Sequence, residues 1–91
     1  MIESFKHKGL KDLFETGRSG KVPADMRKRI KVRLDVIHAA RTLAELNRPG
    51  YRLHQLLPLS PRWAIDVNGP WRLTFLWQDG KAIGVDLEQY H

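Results

Sequence analysis

The chain contains no cysteine, which excludes a disulfide framework and any thiolate metal site and fits a reducing compartment. No apolar run approaches the roughly 20 residues that span a bilayer. The opening Met1-Ile-Glu-Ser-Phe-Lys also lacks the apolar stretch of a signal peptide. The expectation is a soluble, unexported, cytoplasmic protein with no membrane partner. His7, His38, His54 and His91 offer no pair at i,i+3 or i,i+4, so neither a metal nor any other cofactor is expected. Serine-hydrolase and dinucleotide signatures are missing too: there is no Gly-x-Ser-x-Gly and no Gly-x-Gly-x-x-Gly.

With 91 residues there is room for one domain, residues 1–91, and one core. Its net charge of +6 is unevenly spread: residues 1–62 hold 14 Lys/Arg against 6 Asp/Glu, and residues 63–91 hold 2 against 4. A basic excess of that size attracts polyanions through phosphate contacts and counterion release. A solvated helix face that merely keeps the protein soluble accounts for it equally well.

Residues 1–5 alternate, Ile2 against Glu3 and Phe5, as a short strand would. Leu10, Leu13 and Phe14 at helical spacing predict a helix over 6–16, ended by Gly17. Gly17-Arg-Ser-Gly-Lys-Val22 is a glycine-rich, basic connector without the Walker pattern. Pro23 and Asp25 suit the first turn of a second helix, predicted to run to about Ala40. Met26, Ile30, Leu34, Ile37 and Arg41 form its apolar stripe, widened by Val32, Val36 and Ala39. Arg27, Lys28, Arg29, Lys31 and Arg33 are left to face water or a partner, and His38 reads as a packing or surface histidine. Thr42 and Glu45 are spaced as a capping box. Asn47-Arg-Pro-Gly50 then breaks the pattern, and residues 51–57 around His54 read as a loop, where functional side chains commonly sit.

The last third alternates with period two. Trp63, Ile65 and Val67 oppose Ala64 and Asp66; Trp71, Leu73, Phe75 and Trp77 oppose Arg72, Thr74, Leu76 and Gln78; Ile83, Val85 and Leu87 oppose Gly84, Asp86, Glu88 and Tyr90. Asp79-Gly80 signals a hairpin turn. Trp63, Ile65, Val67, Trp71, Leu73, Phe75, Trp77, Val85 and Leu87 are expected under the helices, and the opposite face gathers Asp66, Arg72, Thr74, Asp86, Glu88 and Tyr90. His91, the last residue, has the wrong parity for that face but lies where a strand end frays.

These groups suit RNA strand cleavage. Two histidines near their ordinary pKa can serve as one base and one acid at neutral pH. A base takes the 2′-hydroxyl proton, an acid protonates the departing 5′-oxygen, and cations stabilise the phosphorane. His54, His91, Tyr90 and Arg72 are the candidates for those roles, with Arg27, Lys28, Lys31 and Arg52 as RNA or ribosome contacts. A basic RNA- or ribosome-binding module that does not cleave is the alternative, and an interaction protein with an acidic partner is a third reading.

Several segments, in this order, carry a resemblance: Met1-Ile-Glu-Ser-Phe5, Gly50-Tyr-Arg-Leu-His-Gln-Leu56, Trp63-Ala-Ile-Asp-Val-Asn68, Trp71-Arg-Leu-Thr-Phe-Leu-Trp77 and the closing Tyr90-His91. Together they resemble the HigB-type toxins (host inhibition of growth) of the RelE superfamily. The resemblance implies an α+β, RelE-like fold: a short N-terminal strand, two to three helices, then a curved antiparallel sheet. It also implies a metal-independent endoribonuclease that cuts mRNA in the ribosomal A site, against ribosomal RNA, and so inhibits translation. The implied partner is a HigA-type antitoxin with a helix-turn-helix domain, through which alone the pair meets operator DNA. In that family the Leu-His-x-Leu histidine and the terminal Tyr-His are catalytic, and the Trp-Arg arginine lies near the substrate phosphate. These positions are His54, Tyr90, His91 and Arg72 here. Related toxins commonly end Asp-Tyr-His, whereas Gln89 precedes Tyr90. That departure implies a weaker nuclease unless Glu88 or Asp86 substitutes. Leu56 and Leu57 stand where some relatives carry a basic residue.

Overall fold

Leu10 and Leu13 need cover, and the first helix gives it. In the computed structural model, which describes residues 1–89, α1 spans Lys8–Thr16 with both leucines buried. It begins two residues later than the periodicity predicts because His7 stays extended and caps it: its Nδ1 accepts the Leu10 N–H at 3.1 Å. The Gly17 N–H closes the other end on the Leu13 carbonyl at 2.8 Å.

The second helix starts with a 3-10 turn, Ala24–Met26, and continues as α2, Arg27–Ala39. Its buried stripe is narrower than expected: Met26, Ile30, Leu34 and Ile37 are buried, while Val32, Ala39 and Arg41 are exposed and Val36 is half-buried. Val32 stands two residues from Ile30 and from Leu34, about 200° round the helix from each, so it points away from the core. The basic residues are less uniformly solvated than the sequence suggests. Arg29 Nη1 donates to the Val67 carbonyl at 3.0 Å and Arg33 Nε to the Asp66 carbonyl at 2.7 Å. Strand pairing shifts register between Asp66 and Asn68, and the two arginines bond carbonyls at that irregularity.

The predicted capping box forms on the 3-10 turn Leu43–Leu46: Glu45 accepts the N–H groups of Arg41 and Thr42. β1 (His54–Gln55), β2 (Arg62–Asn68), β3 (Trp71–Gln78) and β4 (Lys81–Gln89) follow, antiparallel in the order β1-β2-β3-β4. The Asp79-Gly80 turn has positive φ at both residues, 53° and 75°, as a type I′ hairpin requires. Instead of a full N-terminal strand, residues 1–6 run beside β4 through two parallel bridges, Ile2 to Ala82 and Phe5 to Val85.

One parity expectation is overturned. Thr74 pairs with Asp86 but Leu76 pairs with Ile83, so β4 holds one residue more than β3 in that interval. Gly84, at φ +64°, sits in this bulge, and its N–H is taken up by Ser4 Oγ at 2.9 Å. The extra residue inverts the alternation behind it: Ile83 shares a face with Leu76, and Ala82 takes its place against the helices, fully buried. Beyond the bulge Val85 and Leu87 join Ile65, Leu73 and Phe75 in the core, with Trp63, Trp71 and Trp77 packed at its margin. Each large side chain buried there contributes roughly 1.5–3 kcal/mol, more than a typical polar contact on the other face.

Candidate active site

Residues directly opposite across antiparallel strands project to the same side, so the register defines the polar face. One row runs Asp66, Arg72, Glu88; the next runs His54, Ala64, Thr74, Asp86. Since Leu73 and Phe75 point at the helices, both rows lie on the opposite surface. His54, which the sequence leaves in a loop, is thus the first residue of an edge strand and faces the surface that carries Arg72.

His54 is held by its own segment. Its Nδ1 lies 2.6 Å from the Arg52 carbonyl. A carbonyl only accepts, so Nδ1 carries the hydrogen and the lone pair of the neutral ring is on Nε2. Arg52 adopts a positive φ of 47°, and its guanidinium grips Asp66 with two bonds, Nε to Oδ2 at 2.7 Å and Nη2 to Oδ1 at 3.3 Å. Asp66 also donates its backbone N–H to the Tyr51 carbonyl at 2.7 Å. Arg33 stacks over the Tyr51 ring at 4.3 Å; burial lowers its pKa from the ordinary value and Arg29 adds to that, while Tyr51 and Asp66 oppose it. The stretch 51–54 is therefore clamped to the end of β2, which orients the imidazole.

Arg62 also belongs to this surface, although the sequence reading starts the strand one residue later and passes over it. Its Nη2 donates to Thr74 Oγ1 at 3.0 Å and lies 3.5 Å from Glu88 Oε1. Thr74 beneath it is fully buried. The signal was available in the parity: Arg62 lies two residues before Ala64 and four before Asp66. Glu88, a possible stand-in for the missing terminal aspartate, is engaged with Arg62, and Asp86 Oδ1 accepts the Leu87 N–H at 2.9 Å. Gln89 pairs with Trp71 and is exposed.

The remaining candidates separate. Arg72 sits in register between Asp66 and Glu88. Arg27, Lys28 and Lys31 are on α2, across the sheet from the polar face. Arg27 Nε donates to the Val22 carbonyl at 2.8 Å, and Lys31 pairs with Asp35 at 2.7 Å above the Phe14 ring. Lys28 is exposed. Tyr90 and His91 lie outside the described residues. The face therefore joins one oriented imidazole to the arginines Arg52, Arg62 and Arg72, balanced by Asp66, Asp86 and Glu88. That combination can hold an anion and move a proton beside it.

Comparison with known proteins gives two findings. A family model described as the RelE-like toxin of type II toxin-antitoxin system HigB matches residues 3–91. A curated relative from Proteus vulgaris, named Endoribonuclease HigB, is 47% identical over 92 residues, covering 100% of both chains.

Proposed function

The chain belongs to the HigB-like family of RelE-like toxins of type II toxin-antitoxin systems, and on that premise we propose that it is an endoribonuclease that cuts mRNA on the ribosome and stops translation. The observation that carries this reading is the oriented His54 on the same sheet face as Arg72. With its hydrogen on Nδ1, His54 offers Nε2 to take the proton from a 2′-hydroxyl. The 2′-oxygen then attacks the adjacent phosphorus, the bond to the 5′-oxygen breaks, and a 2′,3′-cyclic phosphate forms. Tyr90 and His91 supply the acid that protonates the leaving 5′-oxygen, and Arg72 faces the charge that builds on the phosphorane.

As a type II toxin it has an antitoxin partner; we take this to be a HigA-type protein whose helix-turn-helix domain makes the operator contact. The work is done in the cytoplasm, where messages are being translated. Lys28, with Arg27 and Lys31 beside it on the same helix, supplies positive charge for ribosomal and message phosphates.

The test is expression without antitoxin, with cut sites mapped on messages and compared with the same RNA free in solution. Growth arrest with cuts inside translated messages is expected. His54→Ala should lower cleavage on the order of 10²- to 10⁴-fold, and removal of His91 should do the same. Undiminished cleavage in both variants overturns the site assignment. Equal cutting of free RNA overturns ribosome dependence, and ribosome binding without cut products leaves a non-cleaving binding module.

A further inference from the structure

We propose that Arg62 forms a phosphodiester-binding subsite beside His54, held in position by Thr74 and Glu88; this deepens the ribonuclease reading and rests on it. Arg62 is diagonal to His54 on the sheet: Ala64 pairs with His54, and Arg62 is two residues back on the same face. Diagonal neighbours of this kind are about 7–8 Å apart, a gap an arginine side chain can bridge to a phosphate lying against the imidazole. The two are also joined mechanically, because the loop between them is closed on both sides. The Leu56 N–H donates to the Arg62 carbonyl at 3.1 Å, the Arg62 N–H to Ser60 Oγ at 3.1 Å, and Gln55 Nε2 to the Ser60 carbonyl at 2.9 Å.

The state of the guanidinium argues for a ligand. A single nitrogen, Nη2, makes both contacts, at 3.0 Å to Thr74 and a looser 3.5 Å to Glu88. Nε and Nη1 have no hydrogen-bond acceptor among the described residues, and the side chain is 32% exposed. Arg52 differs: its Nε and Nη2 both reach Asp66, the closer contact at 2.7 Å, so its fork is committed to the fold. Arg62 is tethered at its Nη2 corner and keeps the N–H donors of Nε and Nη1, with its full positive charge, for the oxygens of an anion. Thr74 and Glu88 hold that corner, and the guanidinium stands between the Glu88 carboxylate and an incoming anion that Glu88 would otherwise repel. Sequence reasoning names Arg52 as an RNA contact; on this geometry Arg62 is the better-placed cation.

The experiment compares wild type, Arg62→Gln, Arg62→Lys and His54→Ala in single-turnover cleavage of a message on programmed ribosomes, with thermal denaturation of each protein. Arg62→Gln should lose about 10²-fold in the cleavage step, as removal of one transition-state donor does. Arg62→Lys keeps the charge without the fixed planar donors and should recover about 10-fold of that loss. In the inactive His54→Ala background, adding Arg62→Gln should make the salt dependence of ribosome binding shallower by roughly one phosphate contact. A purely structural arginine would leave that slope unchanged. Cleavage by Arg62→Gln within twofold of wild type, with His54→Ala inactive, overturns this proposal and spares the ribonuclease reading. Lost cleavage with an unchanged salt slope also overturns it, assigning Arg62 to packing over Thr74. A wild-type chain that leaves messages intact overturns both.

Discussion

The four histidines look alike in sequence, and their surroundings give the three described ones different work. His7 caps α1. His38 accepts the Ile2 N–H at 3.1 Å and tilts against Phe14 at 5.1 Å, tying the N-terminal segment to α2. His54 alone of these faces the arginine-bearing sheet surface. His38→Ala should therefore cost on the order of 1 kcal/mol, the size of one hydrogen bond, read as a lower urea midpoint, and leave message cleavage unchanged. A loss of cleavage at full stability would place His38 in the chemistry instead. The reading of His38 as a packing or surface histidine was within reach of the sequence because it sits on a helix with no second histidine at ligand spacing, and the residue is exposed while its ring meets Phe14. His7 as a cap was not, since its imidazole stands in for the usual Ser, Thr, Asp or Asn.

At the scale of elements, local rules held where one turn of chain decides the outcome. The Thr42–Glu45 box and the Asp79-Gly80 turn both form as read. Glu45 has its pKa lowered from the ordinary 4.5, first by the N–H of Arg41 and then by that of Thr42. A depressed folded pKa contributes stability that is present above the unfolded value and lost as pH falls through the folded one. Glu45→Gln should accordingly be less stable than wild type at neutral pH, with the difference shrinking below about 4.5; denaturant melts at both ends of that range check it. A gap that persists undiminished in acid would show that the carboxylate's charge is irrelevant to the cap. The alternation rule failed on β4, because one glycine in a bulge exchanges Ile83 for Ala82 on the core face. Gly84 inside the apolar alternation is the local hint of a bulge, but the pairing partner decides that one forms there.

Across the whole molecule, the helices cover one face of the sheet and leave the other to His54, Arg62 and Arg72, so the basic α2 and the candidate active site look in opposite directions. The sequence shows the charge excess but not how it is spent. Arg29 and Arg33 bond carbonyls of β2, Arg27 bonds Val22 and Lys31 pairs with Asp35, whereas Lys28 makes no ion pair among the described residues. Lys28→Ala should reduce the salt slope of ribosome binding by about one contact, and Lys31→Ala by less. Equal or absent effects would remove α2 from the binding footprint.

Periodicity and turn chemistry were enough to place the helices ahead of a run of antiparallel strands, because those features depend on neighbours within a few residues. They also put Arg72, Thr74, Asp86 and Glu88 on one face, since pleating alternates strictly where no bulge intervenes. Only the tertiary structure decided that His54 joins that face, that Arg52 is committed to Asp66, and that Arg62 reaches Thr74 and Glu88. Each of these depends on strand register between residues 10 or more positions apart, which the packing of the whole sheet on its core settles and no local stretch of chain can specify.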